Sequence, residues 1–156
     1  MSALPTRVLF VSTGAACRAI FAEALLRHVG GSAYIASAAG TDPTEIDPLT
    51  LEILQASGID VSDLESLPLD EAHRHRYDYV ITLCDDARLV CPIFPGADQS
   101  MHWGYDSPRN VQNPAARRAA FERVFVQLSE RIRQFVVIAG RRPSPESASD
   151  LEFQPG

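Results

Sequence analysis

Hydrophobic residues along the chain form two kinds of segment. One kind is a short run rich in β-branched and aromatic residues, and the other is a longer stretch in which apolar residues recur every three or four positions. Short runs of this type are typical of buried strands, whereas the second spacing is typical of helices that cover a core. The predicted strands are 7–11, 33–40, 77–84 and 100–105.

Start and stop signals predict three helices between and after these strands. The first helix is 19–31 and ends at Gly30-Gly31, the second follows Asp47-Pro48 and ends before Gly58, and the third begins at Asn113-Pro114. Strands that alternate with helices predict parallel pairing and right-handed crossovers. We therefore expect a single, small, doubly wound α/β domain over residues 1–140, with a four-stranded parallel sheet and helices on both faces.

Composition narrows the class of protein and its partners. The chain has 156 residues, a net charge of -6 and no apolar run long enough for a membrane span. An acidic chain without a basic leader favours a cytoplasmic protein that offers no broad surface to nucleic acid or to a membrane. The tail, 141–156, is rich in proline, serine and charge, and we expect it to be disordered. Three cysteines without an export signal indicate reactive thiols rather than a disulfide framework.

The loop between the first strand and the first helix has the chemistry of an anion site. Backbone N–H groups and the helix dipole would hold a phosphate-sized anion there, and the planar fork of Arg18 could grip two of its oxygens. Taken alone, a glycine and an arginine in this loop would favour a tight turn without a ligand, and the anion site depends on the rest of the chain. The residues assigned to anion binding are Ser12, Thr13, Gly14, Ala15, Ala16, Cys17 and Arg18.

Two further cysteines lie at the end of the third predicted strand, in the segment LCDDARLVC. If residues 85–91 were helical, Cys84 and Cys91 would lie roughly 10 Å apart along the axis, farther than the Cα separation of about 7 Å that a disulfide allows. A bond between them would need local unwinding, which a segment that ends at Pro92 could accommodate. The alternatives are a redox pair and two buried structural cysteines.

Several segments together resemble the thioredoxin-coupled arsenate reductases of the low-molecular-weight tyrosine phosphatase superfamily. The resemblance rests on VLFVSTGAACRAIFAEALL, SAAGTDP, GIDVSD, YDYVITLCDDARLVCPIFPGA and HWGYDSP, and it spans residues 7 to 136. It implies the low-molecular-weight phosphatase fold. In the pattern of this superfamily, a nucleophilic cysteine stands at the position of Ser12.

The resemblance implies a relay of three thiols. A thiolate at position 12 would attack arsenate, Cys84 would then attack that sulfur and release arsenite, and Cys91 would move the disulfide to the pair 84–91. Thioredoxin would reduce this last disulfide. Thiols would be the only cofactors, and we expect a monomer.

This chain departs from the family pattern at three places. Ser12 keeps the shape of the first thiol but abolishes the relay, either as a Cys-to-Ser change that traps an enzyme or as the natural residue of an oxyanion-binding protein. The family's general acid directly precedes a proline, whereas here Ser107 does, so Asp106 is a shifted candidate acid or a turn-capping aspartate.

The third departure concerns a potassium ion, which some relatives hold with a loop asparagine, a helix glutamate and a strand serine. Glu23 and Ser37 match this set, but Ala15 supplies no side-chain ligand, so we expect no metal. Retention of Cys84 and Cys91 favours an inactivated arsenate reductase. A low-molecular-weight protein tyrosine phosphatase and a non-catalytic oxyanion-binding protein remain the alternatives.

Overall fold

The computed structural model describes residues 4–12, 17–40, 45–83, 97–105 and 108–141. The strands are β1 (Thr6–Ser12), β2 (Tyr34–Gly40), β3 (Ser66–Pro68), β4 (Tyr77–Thr82) and β5 (Ala97–His102). The helices are α1 (Arg18–Gly30), α2 (Pro48–Ala56), α3 (Leu69–Ala72) and α4 (Pro114–Arg141). The strands pair in parallel in the order β3-β2-β1-β4-β5. The predicted α/β class is confirmed, whereas the predicted number of four strands is wrong.

The extra strand and one shifted strand are edge elements. β3 has three residues, which is too short to carry a hydrophobic period. β5 begins three residues before the predicted 100–105. Its first residues, Ala97, Asp98 and Gln99, are half-buried or exposed and form no apolar run, as an edge strand allows. Trp103 and Tyr105 follow β5, and their backbone N–H groups donate to Thr82 O at 2.8 Å and to Leu83 O at 3.2 Å.

Both faces of the sheet are covered. Alternate residues of β1 point to opposite faces, so Val8 and Phe10 join a large cluster with α1, α2 and α4. Leu9 and Val11 join a smaller cluster on the other face, which Ala72 of α3 completes. Helices therefore pack on both faces, as predicted. Among the described helices, none has the length and apolar character that a membrane span requires.

The helix ends follow the predicted signals. The carboxylate of Asp47 accepts from Leu49 N at 3.0 Å at the start of α2, and the amide oxygen of Asn113 accepts from Ala116 N at 3.0 Å at the start of α4. After α1, Gly31 has a φ of 60°, a left-handed conformation that glycine adopts without strain, and its N–H donates to Arg27 O.

A group of aromatic rings holds α4 and the residues after β5 on the sheet. Phe135 of α4 lies 5.7 Å from Trp103 and 5.0 Å from Tyr79 between ring centroids, and both contacts are edge-to-face. Trp103 also lies 6.1 Å from Phe10 of β1. The backbone from 103 to 105 is thereby placed beside the carboxyl ends of the central strands. Of the tail 141–156, which we expected to be disordered, Arg141 is the last residue of α4, and residues 142–156 lie outside the described residues.

Candidate active site

The carboxyl ends of β1 and β4 lie side by side at the centre of the sheet. After β1 the chain forms β2 and β3 on one side and then β4 and β5 on the other, so the two strands flank the point where the strand order reverses. In open α/β sheets, ligands bind at this point. Ser12 is the last residue of β1 and is 1% exposed.

A backbone hydrogen bond extends the pairing of these two strands. Leu83 N donates to Val11 O at 2.9 Å, one residue before Ser12 on one strand and one residue before Cys84 on the other. The two segments that the sequence singled out therefore leave the sheet from neighbouring points. Cys84 and Cys91 themselves lie outside the described residues, as do the loop residues 13–16.

No side chain in the described part of the structure caps the first turn of α1. Cys17 is the N-cap residue of this helix, and the first turn contains no acidic residue. The N–H groups of a helix start lack intrahelical acceptors and carry partial positive charge. The start of α1 can therefore bind a small anion in the loop that precedes it.

Arg18 bridges the anion loop and the segment after β5. Its Nη1 donates to Tyr105 O at 2.8 Å, in a half-buried environment. A guanidinium carries five N–H groups, and this bond uses one of them. The bond orients the Arg18 side chain without neutralising its charge. The candidate acid Asp106 follows Tyr105 in the chain and lies outside the described residues, as does Ser107.

The Cys17 thiol is a packed side chain. It is 2% exposed, and burial raises its pKa to about 12, although a hydrogen bond with Thr50 and the charge of Arg18 oppose this rise. The nucleophilic form of cysteine is the thiolate. Cys17 is therefore unreactive near neutral pH and cannot take the place of a thiol at position 12.

A carboxylate with two arginine partners lies near Cys17. Asp47 is 9% exposed, and its Oδ2 pairs with Arg117 Nη2 and, at 3.7 Å, with Arg109 Nε. Arg117 Nη1 also donates to Arg109 O at 2.7 Å. The sequence predicted only that Asp47 caps α2. No pattern in the chain linked it to two arginines that lie more than 60 residues away.

Glu23 of α1 is a buried carboxylate with a cation already beside it. The side chain is 2% exposed, and its Oε2 pairs with Arg27 Nη2. Arg27 also donates to Ala36 O at 3.2 Å and to Asp63 O at 3.3 Å. The described residues include no group of three His, Cys, Asp or Glu side chains that could hold a metal. Because Arg27 supplies the positive charge, these residues do not fit a potassium site.

Glu23 should make stability fall as the pH rises. Burial raises the pKa of the Glu23 carboxyl to about 8, against the attraction of Arg27, compared with 4.5 for an unperturbed glutamate. Between these two pKa values the folded state binds more protons than the unfolded state. The unfolding free energy is therefore highest below pH 4.5, and it falls until the pH has passed 8. We expect the unfolding free energy of Glu23→Gln to rise by about 2.5 kcal/mol relative to that of the parent between pH 6 and 9. Urea unfolding at both pH values measures this gain.

The matched control for this comparison is the exposed Glu130 of α4. Glu130→Gln removes a carboxylate that is not buried, and its unfolding free energy should follow that of the parent at both pH values. A parent and a Glu23→Gln protein whose stabilities change in parallel with pH would contradict the buried, protonated carboxyl.

The chain also matches a known family over most of its length. Residues 7–142 match the sequence profile of the low molecular weight phosphotyrosine protein phosphatases. The chain belongs to this family. In this low molecular weight phosphatase fold, Ser12 and Arg18 stand at the two ends of the loop that joins β1 to α1.

Named relatives of the chain in this family are arsenate reductases. One from Bacillus licheniformis is 33% identical over 129 residues, which cover 82% of this chain and 93% of that protein. One from Brevibacillus brevis is 32% identical over 128 residues, which cover 82% of this chain and 92% of that protein.

A solved structure is similar to the chain in both sequence and fold. The thioredoxin-dependent arsenate reductase of Corynebacterium glutamicum is 32% identical and superposes with a TM-score of 0.68. The match covers 89% of this chain and 65% of that one, so this chain spans about two thirds of that structure's length.

The structure of this chain brings together part of the predicted site. Ser12, Cys17 and Arg18 lie at the carboxyl edge of the sheet. The contacts of Arg18 with Tyr105 and of Cys17 with Thr50 were not predicted, since they join residues that are distant in sequence.

Proposed function

We propose that the chain binds arsenate or a similar tetrahedral oxyanion and has the design of an arsenate reductase, with Ser12 in the place of the first thiol. The single observation that carries this proposal is the bond from Leu83 N to Val11 O. It brings the start of the 12–18 loop next to the residue that precedes Cys84. The arsenate reductases of Bacillus licheniformis and Brevibacillus brevis support the same chemistry.

The oxyanion would lie in front of the first turn of α1. Backbone N–H groups of residues 13–17 and the dipole of the helix would bind its oxygens, and Arg18 would add charge-assisted hydrogen bonds. The Tyr105 carbonyl holds one edge of the Arg18 guanidinium at 2.8 Å, which fixes the side chain before the anion arrives. Binding therefore requires little reorganisation of Arg18.

With a thiol at position 12, the relay would transfer two electrons to arsenic. The thiolate displaces one oxygen of arsenate as water and forms an S–As bond. Cys84 attacks the sulfur at position 12, and the electron pair of the S–As bond leaves with arsenic as arsenite. Cys91 then attacks Cys84, which frees the thiol at position 12 and leaves the 84–91 disulfide for thioredoxin.

Ser12 stops this sequence at its first step. A serine hydroxyl is almost never ionised near neutral pH, and its oxygen cannot form a disulfide with Cys84. Cys17 offers no substitute, because burial raises the pKa of its thiol to about 12. The chain as it stands would bind the oxyanion and not reduce it.

The family description favours a second function, the hydrolysis of phosphotyrosine, because the matched profile is named for it. The phenolate leaving group of phosphotyrosine needs a proton, and the candidate acid Asp106 is displaced by one residue from the family position. This displacement disfavours the phosphatase. A cytoplasmic location, a monomeric state and thioredoxin as the reductant stay part of the proposal.

The last step of the relay can be tested without a thiol at position 12. Mild oxidation with diamide takes two electrons from Cys84 and Cys91, and we expect a disulfide between them. Thioredoxin with its reductase should then reduce that disulfide, which consumes about one NADPH per chain as required for a two-electron couple. Absorbance at the NADPH band and peptide mapping measure the two outcomes.

Two variants control this experiment. Cys84→Ser should consume no NADPH after the same oxidation, whereas Cys17→Ser should behave as the parent because that thiol is buried. An oxidised chain that lacks the 84–91 disulfide, or whose disulfide thioredoxin leaves intact, would contradict the second half of the relay.

A further inference from the structure

The described residues on either side of Asp106 and Ser107 are anchored by separate contacts. Before these two residues, Tyr105 N donates to Leu83 O at 3.2 Å, and Tyr105 O accepts from Arg18 at 2.8 Å. After them comes the short 3₁₀ turn Pro108–Asn110, in which Pro108 is buried. The two residues between these anchors lie outside the described residues. Their flanks are placed by two separate sets of contacts.

The anchor on the far side depends on one carboxylate. Asp47 pairs with Arg109 in the turn and with Arg117 of α4. Arg117 also donates to Arg109 O at 2.7 Å, so that the turn, α4 and the start of α2 meet at Asp47. An arginine that donates to a carboxylate and to a backbone carbonyl at once is held in one orientation.

Asp47 is also linked to the end of the anion loop, through its backbone carbonyl rather than its carboxylate. Asp47 O accepts from Thr50 N at 2.9 Å, in the first turn of α2. Thr50 is fully buried and hydrogen bonds to the thiol of Cys17, the last loop residue before Arg18. A continuous set of contacts thus runs from the turn through Asp47 and α2 to the loop.

We propose that Asp47 is a positioning residue that holds the turn Pro108–Asn110 in place relative to Cys17 and the start of α1. The expected effect of Asp47 on turnover rests on the proposed function. Its expected effect on the reactivity of Cys17 does not. A carboxylate that served only to cap α2 would need neither arginine. The substitution Asp47→Asn separates the two roles, because asparagine caps a helix as well as aspartate does but cannot neutralise two arginines.

Reactivity of Cys17 tests the proposal without any ligand. In a Cys84→Ser, Cys91→Ser chain the remaining thiol is Cys17. Because Cys17 is buried, its reaction with 5,5′-dithiobis(2-nitrobenzoate) requires local opening of the structure around it. We expect Asp47→Asn and Arg117→Gln each to raise this rate by about fivefold through local opening. Arg118→Gln is the matched control and should leave the rate unchanged. Arg118 of α4 is exposed and pairs with Glu52 of α2 and Glu122 of α4 rather than with Asp47.

The arginine variant separates positioning from charge alone. Removal of the Asp47 charge would by itself favour the thiolate, whereas removal of the Arg117 charge would by itself disfavour it. A charge effect therefore predicts opposite changes in rate for the two variants, and positioning predicts an increase for both. A rate that is unchanged or reduced in Arg117→Gln would overturn the proposal.

Turnover provides the second readout. In the Ser12→Cys chain, we expect Asp47→Asn to lower kcat for arsenate by about tenfold, since a small misplacement of reacting groups has effects of this size. KM should stay nearly constant, because Arg18 and the loop N–H groups remain. An increase in KM with an unchanged kcat would contradict the alignment role. If the Ser12→Cys chain reduces no arsenate, the proposed function fails, and the Cys17 rates still decide the role of Asp47.

Discussion

Replacement of Ser12 by Cys should give the protein an arsenate-dependent turnover that the Ser12 form lacks. A thiol at this position would end β1 beside the start of α1, where the helix dipole and Arg18 favour the thiolate. Loss of a nucleophile typically reduces turnover by more than 1,000-fold, so we expect a difference of at least roughly that size. NADPH consumption with arsenate, thioredoxin and thioredoxin reductase measures it, together with the arsenite released.

Variants of the restored enzyme identify the chemistry. Cys84→Ser should stop turnover, whereas Cys91→Ser should stop after one cycle with position 12 and Cys84 joined in a disulfide that mass spectrometry detects. Hydrolysis of p-nitrophenyl phosphate by the restored protein, without arsenate reduction, would establish the phosphatase instead. Oxyanion binding with neither activity would leave a binding protein and assign Cys84 and Cys91 a structural role.

Replacement of Arg18 by Ala should remove most of the oxyanion affinity of the chain as it stands. Two charge-assisted hydrogen bonds of roughly 1.5 kcal/mol each correspond to a loss of about 100-fold. The substitution also removes the bond to Tyr105 O, so the segment after β5 loses its contact with α1. Titration calorimetry with inorganic phosphate and with arsenate measures the change, and circular dichroism verifies the fold.

Two further variants serve as controls for the affinity of Arg18→Ala. Arg18→Lys keeps a positive charge but lacks the planar fork, and its affinity should lie between those of the parent and Arg18→Ala. Arg133→Ala removes an exposed arginine of α4 and should bind phosphate as the parent does. Equal affinities of the parent and Arg18→Ala would place the anion elsewhere in the molecule.

Sequence patterns determined the order and the type of the long elements. β1, β2 and β4 are short apolar runs whose residues are buried on both faces of a parallel sheet, and such runs are visible in the chain. The caps Asp47 and Asn113 were equally visible, because a cap acts within three residues of its own position. β3 was not predicted, because a strand of three residues is too short to show an alternation of hydrophobic and polar residues.

The candidate site also has features that the sequence predicts and contacts that only the fold creates. A loop between a strand and a helix, with arginine at the helix start, is a local arrangement, and the sequence by itself placed Ser12 and Arg18 at its two ends. The reach of Arg18 to Tyr105, 87 positions away, and of Arg117 to Asp47, 70 positions away, depends on how the strands order in the sheet. Local pattern carries no information about such distant pairs.

The strand order is what only the tertiary structure decided. It puts the end of β1 beside the end of β4, so that the anion loop and the two-cysteine segment start from neighbouring backbone positions. Burial of Cys17 and of Glu23 was decided there too, because desolvation depends on all the elements packed around a side chain rather than on its neighbours in the chain. Sequence determined which groups are present, and packing determined which of them meet and which thiol is unreactive.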